Sequence, residues 1–304
     1  MTTPPIAYAG ACDCHVHIYE DAWPLAPTAT FKPPHAPASA YREVRRALGL
    51  TRTIVVQPTG YGFDNRCTLS ALEQLGPEAR GIAVVPLDVA DDELERLHRA
   101  GIRGVRFMML AGGLLPWSGL EDMAARIAPL SWNINLQLDG RELPQRMAML
   151  ERVPGRLVID HIGKFLGPTP LDGEAVGALC RLLDKGNCWI KLAAPYETSK
   201  SGPPAYGDAV PLARLLAQRY PERCVWASNW PHPNVKPEPS NAALLDWALA
   251  LFDSEPVRRK LRVDNPAELY GFPLLSAEGF HGPASAQAEP GPRPVSGIRA
   301  ARRS

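Results

Sequence analysis

"ACDCHVHIYE", residues 11–20, places Asp13, His15 and His17 at alternate positions of a short, otherwise apolar run. Side chains along a strand alternate between its two faces. The spacing therefore predicts a buried strand with Asp13, His15 and His17 on one face and Cys14, Val16 and Ile18 on the other. Two imidazoles and a carboxylate on one buried face call for a partner or a ligand. Similar runs recur outward from this one: "TIVVQP" 53–58, "GIAVVP" 81–86, "GVRFMM" 104–109, "NINLQL" 133–138, "RLVIDH" 156–161, "CWIKLAA" 188–194 and "CVWASNW" 224–230, making eight with the first.

Segments with helical spacing separate the runs. "SAYREVRRALG" sets Tyr41, Val44 and Leu48 on one stripe with Ser39 as its N-cap, and "DDELERLHRAG" sets Leu94 and Leu97 on another with Gly101 ending it. Eight strand-helix units predict a single α/β domain closed as a (β/α)8 TIM-type barrel over residues 11–272. A doubly wound open sheet is the rival. No GxGxxG turn appears, and the repeat number favours closure. Residues 1–10 read as an N-terminal extension. Residues 273–304, rich in Pro, Ala, Gly and Arg without an apolar period, read as a disordered tail.

Composition agrees with an ordinary globular protein: 304 residues, 45% hydrophobic, 21% charged, formal net charge +1. Interspersed charges provide no field for nucleic acid or an anionic membrane, and no apolar run reaches the length of a bilayer span. The start "MTTPPIAYAG" lacks the pattern of a signal peptide, so the expected location is cytoplasmic and the expected partner a small-molecule substrate. No feature sets an oligomeric state. The six cysteines show no disulfide framework and no paired CxxC, and read as core thiols.

In barrels of this class the active site lies at the C-terminal ends of the strands. The inward positions there are read as His15, His17, Gln57, Arg106, Gln137, His161, Lys191 and Asn229. Arg66 is either a carboxylate-binding residue or a surface residue of the next helix, while Arg106 and Lys164 could bind a carboxylate. Tyr61, Tyr196 and Tyr206 either contact a substrate ring or pin their loops, His232 orients its neighbours, and Phe31 lids the pocket.

"DCHVH", "VIDHIGK" and "WASNWPHP", in this order at the ends of runs one, six and eight, resemble the amidohydrolase-related branch of the amidohydrolase superfamily. Within it the likeness is to the 2-pyrone-4,6-dicarboxylate lactonases and sugar-lactone enzymes. It runs from Cys12 to Phe272 and includes "VQPTGYGFDNR", "GVRF", "KLAAPYETSKSGPPAY" and "DNPAELYGF". The resemblance implies a hydrolase of cyclic esters, with His15, His17, His161 and Asn229 catalytic and Gln57, Tyr61, Arg66, Arg106, Gln137, Lys164, Tyr196 and His232 binding substrate. No cofactor is assigned. The alternative is a single divalent metal at His15, His17 and His161.

The family pattern has Asp where this chain has Asn229, and an amide cannot accept the proton of an attacking water. Three readings follow. His17 or His161 takes the proton, the reaction is a lactone isomerisation or a decarboxylation, or the chain binds ligand without turnover. Glu197 in "PYETSK" stands where a basic residue is expected, so the substrate is read as a mono-anionic or hydroxylated lactone and not the pyrone dicarboxylate.

Overall fold

The computed structural model describes residues 8–233 and 235–274. The expected tail lies outside them except for Pro273 and Leu274, as does most of the expected N-terminal extension. Eight parallel strands pair in chain order: β1 Cys12–Val16, β2 Arg52–Val56, β3 Ala79–Ala83, β4 Ile102–Met108, β5 Asn133–Gln137, β6 Arg156–Ile159, β7 Cys188–Ala193 and β8 Cys224–Ala227. A helix follows each strand: α1 Ala38–Ala47, α2 Arg66–Leu75, α3 Asp91–Arg99, α4 Leu120–Ile127, α5 Leu143–Leu150, α6 Glu174–Asp184, α7 Val210–Arg219 and α8 Asn241–Leu249. Backbone bonds from Asn229 N to His15 O (3.0 Å) and from His17 N to Trp230 O (2.8 Å) join the first and last strands and close the barrel. α9 Glu255–Arg259, a π turn over Lys260–Asp264 and α10 Asn265–Tyr270 complete the described chain.

Strand parity separates two cores. Val55, Ile134, Leu136, Leu157, Ile159, Ile190, Leu192 and Trp226 belong to the shell shared with the helices. Cys12, Cys14, Ile54, Val56, Ile82, Val158, Trp189 and Val225 fill the lower barrel with Leu269, Tyr270 and Phe272. Above this apolar layer the inward positions become polar, which is where a barrel of this kind stops being scaffold. All six cysteines are buried and free. No helix among the described residues is long and apolar enough to cross a membrane.

Two local expectations are corrected. Ser39 does not cap α1. The helix already starts at Ala38, after an extended Pro37 without a side-chain cap, and the Ala38 amide donates instead to the Glu20 carboxylate at 3.4 Å. Nor do Asp13, His15 and His17 share a face. The β1–β2 register shifts between Asp13 and Val16, and this irregularity turns Cys12 and Cys14 into the barrel while Asp13 points out to the Tyr41 hydroxyl at 3.1 Å. Asp13 Oδ1 also accepts from the amides of Ser228 (2.9 Å) and His15 (3.3 Å), so this carboxylate helps stitch the closing strand pair.

Candidate active site

A cavity of about 220 Å³ opens at the C-terminal ends of the strands. It is lined by His17, Tyr19, Arg106, Gln137, His161, Lys164, Tyr196, Glu197, Asn229 and His232, with Phe31 and Met108 at its apolar wall. The backbone here is unusual. His161, Ile162, Lys164, Ala194, Asn229 and His232 all have φ between +44° and +62°, in the left-handed region that L residues rarely adopt. This cluster follows β6, β7 and β8, where strained backbone marks side chains held for a purpose.

Hydrogen bonds fix the histidine tautomers. His17 Nδ1 lies 2.8 Å from the Val56 carbonyl, which only accepts, so Nδ1 carries the proton and Nε2 the lone pair. That lone pair accepts from His15 Nε2 at 3.2 Å, leaving His15 Nδ1 to accept from the Lys191 ammonium at 3.0 Å. Burial, and then Arg106, push His17 down to about 3, and burial with Lys191 holds His15 well below the usual imidazole range. His161 is lowered as well, by burial. Its Nδ1 is buried with no hydrogen-bond partner. At neutral pH these are three neutral imidazoles.

This gives a stability prediction with a definite sign. An imidazole depressed in the fold stays neutral where the unfolded chain's imidazole, near 6.5, takes up a proton. Acid therefore favours unfolding, and stability falls as pH drops below 6.5 and on toward 3, through His17 with His15 and His161 acting in the same direction. Asp13, raised to about 6 chiefly by burial, opposes this over the upper part of the window. Three histidines outweigh one carboxylate. The urea midpoint should decrease between pH 7 and pH 5, and decrease less in His17→Gln; an unchanged or rising wild-type midpoint contradicts the assignment.

A second chain orients Asn229. His232 Nε2 donates to Asn241 Oδ1 (2.8 Å), so His232 Nδ1 accepts from the Tyr196 hydroxyl (2.8 Å), whose oxygen in turn accepts from Asn229 Nδ2 (2.9 Å). Asn229 Nδ2 also donates to Glu197 Oε1 at 3.2 Å. Glu197 pairs with Lys164. Burial would raise the Glu197 carboxyl, but His161 and Lys164 outweigh it and hold it below its usual value. Arg106 donates to Gln137 Oε1 (2.6 Å) and to the Gln57 carbonyl (3.1 Å) and forms no ion pair among the described residues. Its buried Nε has no partner. Lys164 is thus balanced and Arg106 is not.

The cavity gathers His17, Arg106, Gln137, His161, Lys164, Tyr196, Asn229 and His232, with His15 directly beneath His17. Four other residues read from the sequence lie outside it: Gln57, Tyr61, Arg66 and Tyr206. Gln57 follows the inward Ile54 and Val56, so parity turns it outward, where its side chain bonds Thr68 (2.5 Å) and the carbonyls of Gly62 and Asp64. Tyr61 exchanges hydrogen bonds with the backbone of Glu20 and pins that loop. Arg66 begins α2, exposed, paired with Asp64 and set over the Trp23 ring. Tyr206 packs against Trp247, outside the cavity.

Asp160 is the residue the sequence reading passed over. It shares the inward parity of Val158, and its carboxyl, which burial alone would raise, is held well below its ordinary value chiefly by the Lys191 ammonium. The metal set expected at His15, His17 and His161 is also corrected. The ligand atoms that lie within 4.8 Å of one another belong to His15, Asp160 and His161. By spacing this trio could hold a metal ion, yet Lys191 Nζ lies 3.0 Å from both His15 Nδ1 and Asp160 Oδ1.

The amidohydrolase family model matches residues 12–272. The chain is 34% identical over 275 residues to a 2-pyrone-4,6-dicarboxylate hydrolase of Comamonas testosteroni, covering 86% of this chain and 90% of that protein. It is 33% identical over 282 residues to a D-galactarolactone isomerase of Agrobacterium fabrum, covering 91% and 96%. An apo crystal structure from Agrobacterium tumefaciens superposes with a TM-score of 0.85 at 32% identity, over 89% of this chain and 99% of that one. With a (β/α)8 barrel, histidines and an asparagine at the ends of its first, sixth and eighth strands, and a family match over nearly the whole described chain, this protein belongs to the amidohydrolase family.

Proposed function

We propose that the protein is a hydrolase of cyclic esters, acting on a lactone that carries one carboxylate. The observation that carries this reading is the convergence of neutral His17 and His161 with the unbalanced Arg106 on one cavity at the strand ends. Arg106 suits a single carboxylate, since its guanidinium stays charged and Lys164 already has Glu197. Of the two imidazoles, His161 stands where a carbonyl oxygen would be polarised, because His17 has its Nδ1–H held by the Val56 carbonyl and its Nε2 by His15. Proton removal from water falls to a group other than residue 229. Glu197 Oε1 lies 3.2 Å from the Asn229 amide nitrogen, and His161 lines the same cavity. The enzyme acts on a small molecule in the cytoplasm on this reading.

One observation favours a second reading, lactone isomerisation. The Asn229 amide nitrogen donates to Tyr196 and Glu197, and an amide in any orientation takes no proton from water, so residue 229 is not a general base. If a hydroxyl of the substrate attacks the carbonyl instead, one lactone becomes another without water. Incubating a panel of mono-carboxylated and hydroxylated sugar lactones in ¹⁸O-labelled water separates the two. Hydrolysis should place label in the product carboxylate; conversion to an unlabelled isomer would replace the first reading with the second, and binding without conversion would exclude both.

A further inference from the structure

Beneath the cavity floor, inside the barrel, Lys191 is fully buried on β7. Its ammonium meets two hydrogen-bond acceptors and one ion-pair partner from three other strands or their ends. It lies 2.6 Å from Asn135 Oδ1, 3.0 Å from His15 Nδ1 and 3.0 Å from Asp160 Oδ1. Two of these partners, with His161, form the one cluster among the described residues spaced to hold a metal ion. The set accommodates one cation at a time. A divalent ion and an ammonium held by the same two buried residues would repel each other in a low-dielectric interior.

We propose that the Lys191 ammonium stands in the place of a catalytic divalent ion, a cation supplied by the chain itself that binds Asp160 and His15 and sets the tautomers of His15 and His17. A metal here would take a lone pair of the His15 imidazole; the ammonium engages the Nδ1 lone pair with a hydrogen bond, which forces the His15 proton onto Nε2 and toward His17. The outcome is a chain of fixed polarity from Lys191 through His15 and His17 to Val56 O. Asp160 balances the lysine as it would balance a metal, so the buried charges cancel pairwise. Lys191 is accordingly a positioning residue, placed below the cavity and acting through His15. This inference does not depend on which carbonyl compound is the substrate.

The test removes the ammonium and offers zinc in its place. Lys191→Met keeps the length of the side chain without its charge and leaves Asp160, His15 and His161 available as ligands. Purified wild type is expected to take up no stoichiometric zinc and to show the same Tm with zinc or with a chelator. Lys191→Met is expected to melt lower, to bind about one zinc per chain and to regain several degrees of Tm with it, as a ligand bound only by the native state requires. Folded Lys191→Met that binds no zinc, or wild type that binds about one zinc at His15 with Lys191 intact, would overturn the proposal. Should the variant fail to fold, ¹⁵N-histidine NMR of the wild type decides. His15 must appear as the neutral Nε2–H tautomer and remain unmoved by zinc; a protonated Nδ1 would refute the assignment.

Discussion

Asn229→Asp is expected to raise the turnover of lactone hydrolysis by about 10²- to 10⁴-fold, the contribution of a positioned general base. The amide now at this position donates to Tyr196 and Glu197 and cannot receive a proton from water. An aspartate of the same shape restores an acceptor at the end of β8. It also meets Glu197 Oε1, the 3.2 Å neighbour of the present amide nitrogen. Two carboxylates that close resist ionising together, so one of them is pushed upward in pKa, nearer to the working pH of a general base. The gain should therefore be largest above neutrality and fade on the acid side. The added charge is expected to weaken binding of an anionic substrate, so KM rises while kcat rises more. Measuring kcat and kcat/KM against pH for both forms checks this. A lower kcat at every pH would mean that water is not activated from residue 229 and would favour the isomerase reading.

His161→Asn is the second large effect, an expected loss of about 10²- to 10³-fold in kcat, equivalent to about 2.7–4 kcal/mol for one group aimed at the reacting oxygen. Asparagine is the informative replacement because His161 sits at φ +51°, where asparagine is tolerated better than alanine. The backbone is retained and the imidazole is removed. His161 is 2% exposed and lines the cavity, so its ring meets what enters there. His15, by contrast, has both ring nitrogens engaged inside the protein. Circular dichroism and Tm should show a folded variant, and unchanged turnover in that folded variant would remove His161 from the reaction.

These two expectations rest on motifs that are plain in the sequence, and the sequence by itself determined a good deal. Eight runs with helices between them lead to the closed barrel because each half-buried strand needs a helix to cover its outer face. "DCHVH", "VIDHIGK" and "WASNWPHP" led to His15, His17, His161 and Asn229, since short polar insertions into otherwise apolar strands stand out against the core. What the tertiary structure decided is which way each side chain points and what it meets. A one-residue irregularity in β1 sent Asp13 outward, and one step of parity sent Gln57 to α2. A slip of one residue reverses every face in a strand, and the edges of a run are where periodicity is least defined. Tyr61 and Tyr19 illustrate the same limit, one pinning a loop and the other lining the cavity. Lys191 and Asp160 meet across 31 residues of chain, and the tautomers of His15 and His17 follow from that meeting and from Val56. No local pattern encodes such contacts, because closure of the barrel is what brings β1, β5, β6 and β7 around one ammonium.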